Sequence, residues 1–372
     1  MKRIFTSCLL TGFVAFGAPA SAGPDGAKVV RGDVKIEKVG DTTVIHASDK
    51  SIIKFKTFDI APGETVQFVQ PGQKASVLNK INGAKPTKIE GALLANGRVY
   101  LVNKAGVYFA PGAEIRVAEI VAAAGHISNR DFLKGVDRFT DVQGAVRNDG
   151  SIHAQAAKLI GANVANTGFI SAEDAIVMVS GNDVLIGKRG SRLYVKIGTT
   201  SPGDASAPGV VQSGALEAEG GQVLLAGGDS LGMAIEHSGI TRAREIELAG
   251  SDRGIVEVSG TLDASDRAEG GTGGRIEVTG ERIALRSAEL DASGDLGGGE
   301  VLVGGDFQGK GDVRTSDITF ADPDTQIRAD AVREGDGGKV IRGADYTTGF
   351  RGDIAARGGA EGGDGGLVEV SG

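Results

Sequence analysis

Several residue types in this 372-residue chain could do chemistry, and their spacing decides whether they do. Gly228-Asp229-Ser230-Leu231 spells the core of a lipase or esterase signature. A serine hydrolase of that kind needs its serine early in the chain and an aspartate three residues before its histidine, but the residue three before His237 is Ala234. The four histidines, His46, His126, His153 and His237, are scattered, with no His-Glu-x-x-His motif and no Cys/His cluster. No metal site is expected from them. Carboxylates recur at Asp263, Asp266, Asp291, Asp295, Asp322 and Asp324, the residue type that glycoside cleavage uses in pairs. Their spacing aligns no two of them with a cleft, and sugar clefts carry aromatics, which are sparse in this stretch: Phe307 and Phe320, with no tyrosine or tryptophan. Solvated faces, with an occasional calcium contact, are their expected role. Arg31-Gly32-Asp33 and Arg351-Gly352-Asp353 are integrin-type tripeptides, each abutting a strand start. An ordinary turn is the expected role of both, with Arg351, Gly352 and Asp353 kept as a candidate cell-binding corner. The chain is therefore expected to be no enzyme and to use no cofactor.

Composition narrows the classes further. Lys2 and Arg3, the largely apolar run Ile4 to Gly17 and the small residues Ala20-Ser21-Ala22 have the form of a secretory leader over residues 1–22. Its apolar core is short for a membrane span. Cys8, the one cysteine, lies inside it, so the 350 residues that follow cannot form a disulfide. The formal charge is −8, and close to −10 without the leader, which argues against nucleic acid as a partner. Glycine supplies 61 residues, yet lacks the every-third spacing of collagen and recurs in register with valine, isoleucine and leucine.

The elements that must position any site are short strands. Residues 52–109 alternate apolar and polar in runs such as Lys54 to Ile60, Thr65 to Val69 and Arg98 to Val102, a period near two. Pro62-Gly63, Pro71-Gly72, Asn82-Gly83 and Asn96-Gly97 separate them as turns. Residues 128–141 read as a loop or small excursion. From Gly144 a small unit recurs, as in Gly150 to Ala154, Gly168 to Ala172, Gly214 to Ala218, Ser238 to Arg242, Gly260 to Ala264, Glu289 to Ser293 and Gly352 to Ala356. Most copies precede a second strand such as Gly254 to Gly260, Gly274 to Gly280 or Gly366 to Gly372. The central apolar residues Leu216, Ile240, Leu262 and Leu290 stand 24, 22 and 28 residues apart, a solenoid period. The expected fold is all-β: a right-handed, single-stranded parallel β-helix with an N-terminal cap built from Val34 to Ile36 and Thr43 to His46. Roughly fifteen coils about 4.8 Å apart would make a rod on the order of 70 Å.

Several ordered blocks then carry a resemblance. They are Ile53 to Ile60, Phe68-Val69-Gln70-Pro71, Val77-Leu78-Asn79-Lys80-Ile81, Ile89-Glu90-Gly91, and Leu94 to Asn103. Over about residues 27 to 145 the chain resembles the N-terminal haemagglutination-activity domain of the filamentous haemagglutinin family, large exoproteins of Gram-negative two-partner secretion. The coils after 145 resemble the glycine-rich repeats of the same exoproteins. Two departures stand out: Phe55 lies where the family has tryptophan, and Asn103-Lys104-Ala105-Gly106 replaces an asparagine-proline-asparagine-glycine turn.

The resemblance implies a division into leader (1–22), export domain (23–170) and repeats (171–372), in a chain expected to continue in a longer protein. It implies export through the periplasm by a partner outer-membrane barrel transporter, to the medium or the cell surface, as an adhesin-like protein. A receptor or glycan on a host or neighbouring cell would be the further partner. Asn79, Asn96, Gly97, Asn103 and Gly106 are the candidates for export recognition or for the turns that support it, with the Asn103 side chain expected to face outward. The alternatives are the N-terminal part of a contact-dependent growth-inhibition toxin and, from another class, a β-helical polysaccharide-active enzyme.

Overall fold

The structure, a computed structural model, describes residues 23–198, 207–228 and 232–372. The leader, Cys8 and Ser230 lie outside the described residues. Short alternating runs become parallel strands here because each has an apolar side to bury and a neighbour one coil away to bond. Three parallel ladders result. The first begins at Thr42–Ala47, passes Thr65–Val69, Ala92–Ala95 and Glu114–Arg116, and ends at Asp353–Ala355. The second runs from Ser51–Phe55 through Ser76–Ile81, Arg98–Asn103 and Glu119–Ala123 to Leu367–Val370. The third runs from Thr87–Ile89 through Gly106–Phe109 and Ala145–Asn148 to Thr347–Phe350. Long strands such as Ser151–Gly161 and Phe169–Ser180 bend round the corner and serve both the first and the second ladder. The molecule is a right-handed parallel β-helix.

Among the described residues the first and second ladders hold twelve strands each, so the coils number about twelve rather than fifteen. At about 4.8 Å per step the ladders extend some 53 Å. The shortfall has a cause: coils are unequal. Ala156 lies opposite Ala175 on the next coil, 19 residues on, whereas Ala175 lies opposite Gln222, 47 residues on. The extra length leaves the helix. Asn129–Lys134 forms a short α-helix capped by Ser128, and Asp137–Phe139 pairs antiparallel with Val184–Arg189, which pairs with Arg192–Ile197. This small sheet covers the outer side of the second ladder. It buries Phe132, Phe139, Val184 and Leu193 against Ile52, Leu78, Tyr100 and Val177.

Like side chains stack in the interior. One column of the first ladder reads Val66, Leu93, Ile115, Ile152, Ile170, Leu216, Thr241, Leu262, Leu290 and Ile327. Ile240 is not in it: it lies opposite Ala215 and is 38% exposed, while fully buried Thr241 takes the interior place. The repeat period places Ile240 inside, one residue off, which in a strand means the opposite face. The look-alike runs also divide, Ile255–Val258 to the third ladder and Arg275–Thr279 to the second. The corner entering the first ladder is closed by stacked glycines. A Cβ at Gly168, Gly214 or Gly239 would collide with the carbonyl oxygen of the glycine one coil earlier. The N-terminal cap is an antiparallel hairpin, Val34–Val39 with Thr42–Ala47.

A second interior column, on the third ladder, turns polar midway. Phe109 is followed by Asn148, Asn166, Gln212 and His237, all fully buried, and then by Val258 and Leu285. Asn148 Nδ2 donates to Asn166 Oδ1 (2.7 Å) and Asn166 Nδ2 to Gln212 Oε1 (2.8 Å), so each amide answers the one above. His237 Nε2 shares a 2.8 Å bond with Thr241 Oγ1, which explains the threonine in the apolar column. Arg342 breaks another column, between Val303 and Val370. Its Nη2 donates to the Gly349 carbonyl (3.0 Å), its Nε and Nη1 have no hydrogen-bond partner among the described residues, and burial pushes its pKa down to about 10.

Two stability measurements follow. Arg342→Val restores the column and is expected to raise the urea midpoint, since one hydrogen bond and the face of the Phe350 ring, 5.2 Å from the guanidinium, offset the desolvation of a buried charge only in part; an unchanged or lower midpoint would contradict this. Burial pushes His237 down to about 4, below its unfolded value near 6.5. The unfolded chain therefore takes up the proton first, and stability is lost as pH falls from about 6.5 towards 4, by up to about 3 kcal/mol. The His237→Gln variant should lose that part of the pH dependence when unfolding is followed at pH 7 and pH 4.

Candidate functional site

The residues singled out for export lie together in adjacent coils. Asn103 ends the strand Arg98–Asn103, and Gly106 opens Gly106–Phe109. Asn103 Oδ1 accepts the Ala105 N–H (3.0 Å), the self-bonded turn expected of asparagine. Its Nδ2 donates to the Lys85 carbonyl and to Thr87 Oγ1, both at 3.0 Å, on the coil before. The side chain is thus 1% exposed and faces inward, contrary to the outward orientation expected of it. The cause is the unmet polar groups of the preceding coil, which a sequence period cannot reveal. Gly106 has φ +123°, and a Cβ there would sit 2.7 Å from the Ala145 carbonyl oxygen. The turn has no proline, and this bonding holds it instead.

Asn96 remains exposed yet is clamped: its Oδ1 accepts Gln70 N–H (2.8 Å) and its Nδ2 donates to Gln70 O (2.7 Å). Gly97 lies beneath the Gln70 side chain, where a Cβ would come within 2.7 Å of it. Asn79 is fully buried between Ile53 and Leu101 in an interior column, with Nδ2 donating to Tyr100 O (3.1 Å). Asn79 and Asn103 can meet another protein through their side chains only before their coil closes. Arg351 and Asp353 are exposed at a corner whose Gly352 packs on the Thr325 carbonyl.

Asp291, Asp295 and Asp322 are structural staples and not the solvated faces expected, whereas Asp324 is exposed. Asp295 is 8% exposed, takes Gly270 N–H at 2.8 Å, and pairs with Arg333 Nη2 at 2.8 Å; the arginine and that N–H hold it below the usual carboxylate range. Asp291 pairs with Arg267 across coils, and Asp322 takes the Ser287 N–H (2.9 Å). Among the described residues no three His, Cys, Asp or Glu side chains converge to hold a metal. An open groove of about 790 Å³ runs along the corner of the first and second ladders, past Asn96, Arg116, His153, Glu173 and Glu217. Its charges are mixed and spread along the wall.

Sequence reasoning missed two arrangements. One is the polar column, which a polar residue two places before each corner glycine (Asn148, Asn166, Gln212, His237) would have announced. The other is an ion cluster beneath the small sheet. Lys158 Nζ bonds Asp137 (2.6 Å) and Glu119 (2.7 Å), Arg98 reaches Glu119 (3.1 Å), and Tyr100 Oη donates to Asp137 (2.9 Å). Burial alone would lower the Lys158 pKa, but the two carboxylates outweigh it and raise it. Burial, with Asp137 beside it, raises the Tyr100 pKa. These bonds fasten the excursion onto the coils that carry Asn96 and Asn103. Lys158→Met would leave two carboxylates facing an apolar cover and should cost about 3–5 kcal/mol in urea unfolding; a loss below about 1 kcal/mol would show that the cluster does not hold the excursion.

Comparison with known proteins places this geometry. A family model described as the TPS secretion domain matches residues 20–278, across the boundary expected at 170. The heme/hemopexin-binding protein of Haemophilus influenzae is 43% identical over 101 residues, 27% of this chain and 11% of that protein. The protein of the same name from H. influenzae strain Rd is 27% identical over 245 residues, 65% of this chain and 23% of that protein. The aligned part of this chain thus spans under a quarter of either relative. The HMW1 secretion domain from H. influenzae superposes with a TM-score of 0.83 at 26% identity, covering 94% of this chain and 95% of that one. The filamentous hemagglutinin secretion domain shares the fold, with a TM-score of 0.50, 15% identity and coverage of 94% and 100%.

Proposed function

The chain belongs to the TPS secretion domain family, and we propose that it directs an adhesin-like exoprotein through a partner outer-membrane barrel transporter to the medium or the cell surface. The observation that carries this reading is the superposition on the HMW1 secretion domain over nearly the whole of both chains. The alignments with the heme/hemopexin-binding proteins cover so little of them that they speak for a shared export part, not for a shared ligand. The chain reaches the outer membrane through the periplasm in this reading. Recognition is assigned to residues 23–170, within them Asn79, Asn96, Gly97, Asn103 and Gly106, and residues 171–372 act as glycine-rich repeats that lengthen the helix. Since Asn79 and Asn103 are buried, the transporter reads them on a chain whose coils have not yet closed. Closing of each coil outside then keeps the chain from slipping back, with no nucleotide needed there. A receptor or glycan is the further partner, and the exposed corner Arg351, Gly352, Asp353 is a place where a cell-surface receptor could bind.

The test sets secretion against stability. Asn103→Ala, Gly106→Val and, as a control beyond residue 170, Gln212→Ala each remove an interior bond or a turn glycine, at a cost of about 1–3 kcal/mol. In a strain supplying the transporter, Asn103→Ala should lower the protein outside the cell more than Gln212→Ala does at a matched urea midpoint. Equal export at matched midpoints would make the turn residues scaffold alone.

A further inference from the structure

We propose that the N-terminal end of the folded helix is a docking surface for an anionic lipid bilayer, on which the molecule stands end-on. The proposal concerns the folded cap and is independent of how the transporter reads the turns.

Three observations converge on that end. The first is a row of like charges. Lys28 lies opposite Lys54, and Lys54 opposite Lys80, on the outer side of the second ladder. Strands there are about 4.8 Å apart, so like charges in register cost stability unless something offsets them. None of the three forms an ion pair among the described residues, where carboxylate partners are otherwise common: Lys158 has two, and Lys88, Lys104 and Lys339 are paired as well. Lys80 Nζ donates to the neutral Asn129 Oδ1 (2.7 Å), and burial together with the Lys54 charge lowers its pKa. Exposed His126 stands near enough to feel the Lys80 charge.

The second observation is apolar. Val29, Val30, Ile36 and Val39 are 43%, 43%, 40% and 66% exposed, all on the two strands of that end. Lys28–Arg31 pairs with Ser51–Phe55 alone, and Val34–Val39 with Thr42–Ala47 alone, so each presents a free edge among the described residues. Val29 and Val30 share their strand with Lys28, which has no ion pair among the described residues, whereas Lys35 beside Ile36 is paired with Glu37; exposed apolar side chains on a strand with such a lysine are the pattern of surfaces that lie in the headgroup region of a membrane. A linear polyanion would use the lysines and gain nothing from the valines.

The third is the distribution of charge along the axis. Residues 23–105 carry thirteen Lys and Arg against eight Asp and Glu, whereas residues 106–372 carry 25 against 40. A negative surface attracts the first coils and repels the shaft, which selects the end-on orientation.

The test is co-sedimentation of the purified chain, in the form in which it leaves the cell, with phosphatidylcholine vesicles with and without phosphatidylglycerol. Binding is expected only with phosphatidylglycerol and should weaken as salt shortens the screening length. The variant Lys28→Glu/Lys54→Glu, both positions exposed, should bind about tenfold more weakly or worse. Val30→Asp/Val39→Asp should also weaken binding, while Lys310→Glu, a reversal far along the shaft, should leave it unchanged. Urea midpoints equal to the parent's show that the variants are folded. Absence of binding to phosphatidylglycerol vesicles at low salt, or binding that Lys310→Glu reduces as much as the double reversal, would overturn the proposal. So would valine variants that bind unchanged while dextran sulfate displaces the protein, because the site would then be one for polyanions and not for a bilayer.

Discussion

The register between successive coils is the constraint on which the rest of the molecule depends. A parallel strand satisfies its N–H and C=O groups only on the strands before and after it. A slip of one residue would turn Leu216, Leu262 and Leu290 outward and set polar neighbours in the core. Three devices hold the register. The stacked corner glycines admit no side chain between coils. The polar column bonds coil to coil from Asn148 through Asn166 to Gln212 by side chains that fit in one alignment, and Gln212 Nε2 reaches on to the Ile240 carbonyl. The antiparallel hairpin at the N-terminus gives the first coil an edge to build on. Variation in coil length then goes outward, into the excursion that Lys158 fastens down, and leaves the ladders intact.

That arrangement suits a chain that leaves a membrane in order of sequence. Each coil closes against the one already formed, so folding needs no distant contact before it can begin. The same side chains can then serve twice. Asn79 and Asn103 are accessible on an open chain and become interior bonds once the coil closes. Residues that recognise and residues that hold the fold need not be different residues, and burial in the finished helix is compatible with a role in export.

Much of this was legible in the sequence, and what was not has physical reasons. Alternation and corner glycines announced parallel strands, and the ordered blocks from Ile53 to Asn103 carried the family resemblance. A repeat of apolar residues leaves the facing uncertain by one position: the period points to Ile240 as interior, whereas the bond to His237 draws Thr241 in. The sequence of Ile255–Val258 looks like that of Arg275–Thr279, although the two lie on different faces, because either face asks for the same alternation. Asp291 and Asp295 read as solvated since their partners, Arg267 and Arg333, are 24 and 38 residues away and meet them only through stacking. The ion cluster around Lys158 was invisible for the same reason.

The central claim is that this helix is an export domain working with a partner transporter. It is tested most directly by expressing the chain in paired strains, with and without the cognate outer-membrane transporter, and measuring folded, protease-resistant protein outside the cell. The account predicts such protein only when the transporter is present. Equal amounts outside in both strains, or retention in the periplasm despite the transporter, would contradict it.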